Sequence, residues 1–218
     1  ANGNLLIAWS DSNGSDGSSY GIYARLFDAA TQAFGDSFLV NTFTAGQQGS
    51  SSEHYGPEAA ALAGGGFVVV WPSSGQDGSG WGVYGQRFDA AGNRVGSEFR
   101  VNESTTGNQY QAEVTALSTG GFVVAWHNDN YDISGSGTTQ DVYVREYGAD
   151  GTPAGGQRKL LSPTDSTEYQ PAIADLGNGN YIVVYADYVS SANGGDNSYE
   201  IRQQIFGVLG RAAVPERD

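Results

Sequence analysis

The sequence predicts an all-β protein, a β-propeller-like array of four-stranded antiparallel blades in about four repeats of about 59 residues, and three observations carry that expectation. An apolar run ending in an aromatic residue occurs four times, as NLLIAW (4–9), GFVVVW (66–71), GFVVAW (121–126) and NYIVVY (180–185), and the closing aromatics lie 62, 55 and 59 residues apart. A second aromatic-closed segment follows each run, at YGIYARLFD (20–28), WGVYGQRFD (81–89), QDVYVREYG (140–148) and YEIRQQIFG (199–207); its closers Phe27, Phe88, Tyr147 and Phe206 recur at 61, 59 and 59. No segment of ten or more residues has the apolar spacing of a helix.

Each unit holds four short strands. The first, the apolar run, is continuous in β-branched and aromatic residues and bounded by glycine, which suits a strand covered on both faces. The second alternates, with Tyr23, Arg25 and Phe27 on one face and Ile22, Ala24 and Leu26 on the other. A turn such as FDAAGNRVG, with the Asp and Gly chemistry of a tight hairpin, leads to the third, SFLVN (37–41), EFRVN (98–102) and RKLLS (158–162); FGVLGRAA repeats that turn at 206–213. The fourth, YGPEAAAL (55–62), YQAEVTAL (110–117) and YQPAIADL (169–176), leads into the next apolar run. A four-stranded unit with two apolar faces buries them only against neighbouring units, hence the blade reading. The competing architecture, a string of β-sandwiches, needs more than 59 residues per unit. One domain is expected over 1–218, in repeats of approximately 1–62, 63–117, 118–176 and 177–218; the last is incomplete, as in a segment of a longer array.

Composition narrows the functions. Against 24 Asp and Glu stand 10 Lys and Arg, a formal charge of −14, which argues against nucleic acid and anionic membrane surfaces. No apolar run approaches ~20 residues, so no membrane insertion is expected, and nothing near Ala1 reads as a signal peptide. The absence of cysteine excludes disulfides, thiolate nucleophiles and Cys-type zinc sites. Carboxylate and carbonyl oxygens suit divalent cations, and an acidic, Gly/Ser/Asn-rich chain points to a secreted bacterial protein.

The stretch GGFVVVWPSSGQDGSGWGVYGQRFDAAGNRVGSEFRVNESTTGNQYQAEVTAL, Gly65 to Leu117, resembles a repeat module of very large secreted bacterial proteins, found beside calcium-binding repeats-in-toxin segments and adhesin domains. The likeness covers all four copies and is weakest in the fourth. It implies type I secretion, a secreted or cell-surface location and an adhesion-like role. The strict calcium-binding nonapeptide of those toxins is absent, so its ligand chemistry does not carry over.

The loops between first and second strands hold the candidate sites. Asp11, Asn13 and Asp16 partly match the alternating oxygen ligands of a calcium loop, and Asp129, Asn130 and Asp132 form a second such cluster. The bland reading is that Asp-Gly and Asn-Gly make turns, as for Gln76-Asp77-Gly78-Ser79-Gly80. Tyr20, Trp81 and Tyr199, at the start of second strands, are candidate platforms for a sugar ring, against the alternative of packing on the next blade. Trp9, Trp71 and Trp126, like Tyr23, Tyr84 and Tyr143, occupy equivalent positions and read as inter-blade packing.

Catalysis has little sequence support. His54 and His127 lie in unlike loops outside any metal motif, and no nucleophile elbow or phosphate loop is present. Paired carboxylates hydrolyse glycosides, but sequence does not give their separation. The expectation is therefore a non-catalytic extracellular recognition or adhesion module, not an enzyme, binding a glycan or a cell-surface or matrix component through its loops. The alternatives are a structural spacer or self-assembling homo-oligomer, and a polysaccharide-acting enzyme with acidic residues in a central channel.

Overall fold

The computed structural model describes residues 3–14, 16–17, 19–50, 56–130, 139–160, 167–189 and 197–207. They form four antiparallel sheets in chain order. The first holds β1 (Leu5–Asp11) and β2 (Gly21–Asp28), with two short pieces, β3 (Ala33–Phe34) and β4 (Phe38–Leu39), both paired to β2. The second runs β5 (Glu58–Ala61), β6 (Phe67–Ser74), β7 (Trp81–Phe88) and β8 (Arg94–Arg100). The third runs β9 (Asn108–Ala116), β10 (Phe122–Asn130), β11 (Thr139–Tyr147) and β12 (Arg158–Lys159), and the fourth β13 (Thr167–Gly177), β14 (Asn180–Val189) and β15 (Ser198–Gly207). The fold is the expected all-β array of blades. No helix of the described residues is long and apolar enough to cross a membrane.

The segment leading into each apolar run pairs with that run, Ala60 opposite Val68 and Val114 opposite Val124. Thus β5, β9 and β13 open their sheets, and they contact one another in succession. Between β5 and β6 the chain turns on Gly64, Gly65 and Gly66, and between β9 and β10 on Gly120 and Gly121. Gly66 has φ +106° and Gly121 φ +81°, and an added Cβ at either would fall on the carbonyl oxygen of Phe88 or Tyr147. Only glycine combines that conformation with so close an approach.

The core lies between sheets. Val69 and Trp71 of β6 face Ile22, Ala24 and Val40 of the first sheet, while Val68 and Val70 face Phe122, Val124 and Trp126 of the third. Val123 and Ala125 in turn meet Tyr181, Val183 and Tyr185 of the fourth. Successive residues of one strand thus enter two different cores, which is why the run is apolar without alternation. Each fully buried Val contributes roughly 1.5–3 kcal/mol. Trp71 and Trp126, 0% and 1% exposed, belong to this packing.

Polar ties also repeat. Buried Asn41 and Asn102 accept hydrogen bonds from the backbone N–H of Ile22 and Val83 at 2.7 and 2.9 Å and donate to Gln48 and Gln109 at 3.4 and 2.9 Å. At the rim, Thr42 donates its N–H and hydroxyl to Glu98 at 2.6 and 2.8 Å, and Glu103 donates its N–H to the side-chain Oε1 of Gln157 at 2.7 Å. Arg94 donates to Leu39 O at 2.6 Å and Arg145 to Val101 O at 2.8 Å, so the second and third sheets are each bound to the sheet before them.

Candidate functional site

Two irregularities at equivalent positions shape the middle of the array. On β9 the register slips between Glu113, opposite Ala125, and Tyr110, opposite His127; on β13 it slips between Ala172, opposite Val184, and Tyr169, opposite Ala186. Inside these bulges Gln111 and Gln170 have φ of +51° and +54°. A left-handed conformation disfavours a residue with a side chain, and bulges redirect the side chains that follow. Both glutamines line two adjoining pockets.

The smaller pocket, about 270 Å³, is bounded by Gly56, Glu58, Gln111, Glu113, Gln170 and Pro171. Glu58 on β5 and Glu113 on β9 hold the same position in consecutive repeats, PEAAAL and AEVTAL. Desolvation, and after it the charge of Glu58, push the Glu113 carboxyl up to about 7. Desolvation raises Glu58 as well. Glu113 thus carries both burial and the repulsion of its neighbour, whereas burial alone raises Glu58.

The larger pocket, about 730 Å³, is lined by Tyr110, Tyr169 and Tyr199 with His127, Gln140 and Ile201, and shares Gln111 and Gln170 with the smaller one. The Tyr110 ring meets His127 edge-on at 4.8 Å, and Tyr169 meets Tyr199 edge-on at 5.7 Å. His127, 3% exposed, places Nδ1 3.1 Å from Gln111 Oε1 and thereby holds the glutamine amide. Tyr199 is 66% exposed, and its ring lies 5.1 Å from that of Tyr188 on the facing strand.

The residues singled out from sequence are distributed differently. Tyr20, Trp81 and Tyr199 begin the second strands of the first, second and fourth sheets and do not converge. Only Tyr199 lines the large pocket; Gln48 N donates to Tyr20 O at 3.0 Å, and Trp81 N donates to Asn108 Oδ1 at 3.1 Å. Asp11 accepts from Asn13 N and Nδ2 at 3.0 and 2.8 Å, a local turn, and Asp16 packs beside Gly21. Asp129 pairs with Gln140 in the β10–β11 ladder and Asn130 with Thr139; Asp132 lies outside the described residues. Among the described residues no group of three or more His, Asp or Glu could hold a metal ion. In the second copy, Ser79 N donates to Asp77 Oδ1 at 3.0 Å and Gly78 N to Gly75 O at 3.2 Å, as a turn requires.

Sequence reasoning missed Glu58, Glu113, Gln111 and Gln170. One signal was available: a glutamate recurring at one position of an otherwise apolar segment. Ala172 at that position in the next copy obscured it.

No protein-family model matches the chain, and no curated protein matches it. Solved structures do. An endo-arabinase from Bacteroides thetaiotaomicron is similar at TM-score 0.51 and 12% identity, over 92% of this chain and 70% of that one. A thermostable family-43 glycoside hydrolase gives 0.51 and 12%, over 96% and 72%, and a Hadza microbial sialidase 0.58 and 11%, over 99% and 44%. At these identities the likeness shows the fold alone, that of β-propeller glycoside hydrolases. It overturns the expectation of a non-catalytic recognition or adhesion module that is not an enzyme. Catalysis had little support in the sequence for a physical reason: Glu58 and Glu113 sit on strands that open different sheets, and only the blade arrangement brings them to one pocket.

Proposed function

We propose that the protein is a glycan-acting hydrolase with Glu113 as general acid and Glu58 as its ionised partner. The observation that carries this reading is the convergence of the two carboxyl groups on one pocket, with Glu113 pushed up to about 7. Glycoside cleavage needs a protonated acid to donate to the leaving oxygen and a carboxylate to activate water or stabilise positive charge at the anomeric carbon. A carboxyl titrating near 7 is still protonated in about half of the molecules at neutral pH and releases its proton readily to an alkoxide leaving group. The similarity of the fold to an endo-arabinase and a family-43 glycoside hydrolase supports the same reading. Resemblance to repeats of large secreted bacterial proteins supports an extracellular setting, where polymeric glycans are met.

The test is release of reducing ends from a panel of plant and microbial polysaccharides by the wild type, Glu113→Gln and Glu58→Gln. Wild-type activity that falls by at least about a hundredfold in each variant is expected. Failure to cleave any polymer, or a fully active Glu113→Gln, would sink the assignment.

A further inference from the structure

We infer that the two pockets form one continuous cleft for a neutral glycan chain, in which Tyr199 supplies the stacking face and Gln111 and Gln170 position the sugar that reaches the carboxylates. The inference rests on the glycan-acting reading and adds the class of substrate and the residues that hold it. Three observations support it.

First, the pockets adjoin through shared walls. Gln111 and Gln170 belong to both, so a chain lying in the large pocket continues into the small one. At about 730 Å³ the large pocket falls within the roughly 300–1,000 Å³ range of small-molecule sites.

Second, the lining is apolar and amide in character. Tyr199 and Ile201 are 66% and 76% exposed beside the Tyr169 ring, a surface that suits the C–H face of a sugar. Gln111, Gln140 and Gln170 supply donors and acceptors for hydroxyl groups. No Lys or Arg is among the described residues lining either pocket. A uronate or sialate would therefore bring its negative charge towards Glu58 and Glu113 with no Lys or Arg of the lining to meet it, in a protein of formal charge −14.

Third, the two glutamines keep an unfavourable backbone. Positive φ at a residue with a side chain is unfavourable and persists where the surroundings over-determine it. Here it recurs in two consecutive sheets, each time at the boundary between the pockets, with Gln111 held by His127.

The experiment separates binding from turnover. Calorimetric titration of Glu113→Gln with xylohexaose and cellohexaose, as neutral probes, and hexagalacturonate, as the acidic one, measures affinity without cleavage. At least one neutral probe is expected to bind, hexagalacturonate at least tenfold more weakly, and Tyr199→Ala in the same background is expected to lose about tenfold for the neutral probe. Tyr199→Trp, which keeps an aromatic face, is expected to restore it. No binding of either neutral probe, hexagalacturonate binding as tightly, or Tyr199→Ala binding unchanged would each overturn the inference. Neutral binding lost in Tyr199→Ala, with no cleavage by the wild type, upholds the cleft while the hydrolase reading fails. Cleavage with unaltered KM in Tyr199→Ala does the reverse.

Discussion

Asp187 and Arg202 form an ion pair in the fourth sheet at the two positions where the third sheet hydrogen-bonds Asn128 to Tyr143. Glu168 lies opposite Asp187 where Gln109 donates to Asn128 at 2.8 Å, so a neutral amide network has become a charged one on the same frame. Asp187 is 0% exposed, and removing one partner of a buried pair is costly. Asp187→Ala is expected to destabilise by about 3 kcal/mol in urea unfolding. The triple change Glu168→Gln, Asp187→Asn and Arg202→Tyr, which rebuilds the third-sheet chemistry, should recover most of that loss and so show non-additivity.

Glu113 is expected to trade stability for activity. Its folded pKa is raised from 4.5 to about 7, so the native state binds more protons than the unfolded chain between those values. Stability is then fullest below pH 4.5 with respect to this group and falls as pH rises to about 7. Glu113→Gln should therefore be more stable above pH 7, on the order of 1 kcal/mol once solvent screening is allowed for, with the difference vanishing near pH 4. Thermal melts across that range check the sign. Hydrolysis by the wild type should decline above pH 7 as the general acid loses its proton.

Gly121→Ala should cost at least about 3 kcal/mol, because the new Cβ meets the Tyr147 carbonyl at positive φ. Gly78 also has positive φ, +87°, but nothing lies within 4 Å of a Cβ built there. Its alanine variant should cost only about 1 kcal/mol. Parallel denaturant titrations separate the conformational penalty from the steric one.

Asn102→Ala removes the acceptor for Val83 N–H and the donor to Gln109, both buried. A loss of about 3 kcal/mol is expected. Asn102→Asp keeps the acceptor but places a charge 1% exposed, so it should be no milder. Chemical denaturation of both variants against the wild type tests the expectation.

Much of the fold was legible in the residues because inter-blade burial imposes a local pattern. Val68 to Trp71 must be apolar at every position, and Phe27, Phe88, Tyr147 and Phe206 recur at near-constant spacing. Asp77 read as a turn residue because a side-chain oxygen accepting an N–H two residues on needs no distant partner. The candidate site was not legible. Glu58 and Glu113 lie 55 residues apart, and their juxtaposition depends on which strand of each unit opens the sheet. The bulges at Gln111 and Gln170 leave no compositional trace, since glutamine is not a residue that sequence reasoning assigns to positive φ. Tyr199 was legible as an exposed aromatic, while Tyr169, on β13 of the same sheet, and His127, on β10 of the sheet before it, are far from it in sequence.

The ties of Thr42 to Glu98 and of Glu103 to Gln157 act as the hoop of a wheel. Glu58 and Glu113 ride on different spokes, so the gap between them changes whenever one sheet pivots relative to the next. Of the two ties, that of Glu103 to Gln157 spans the same pair of sheets as the two carboxyl groups, so the reach between them is coupled to a contact of residues that line neither pocket.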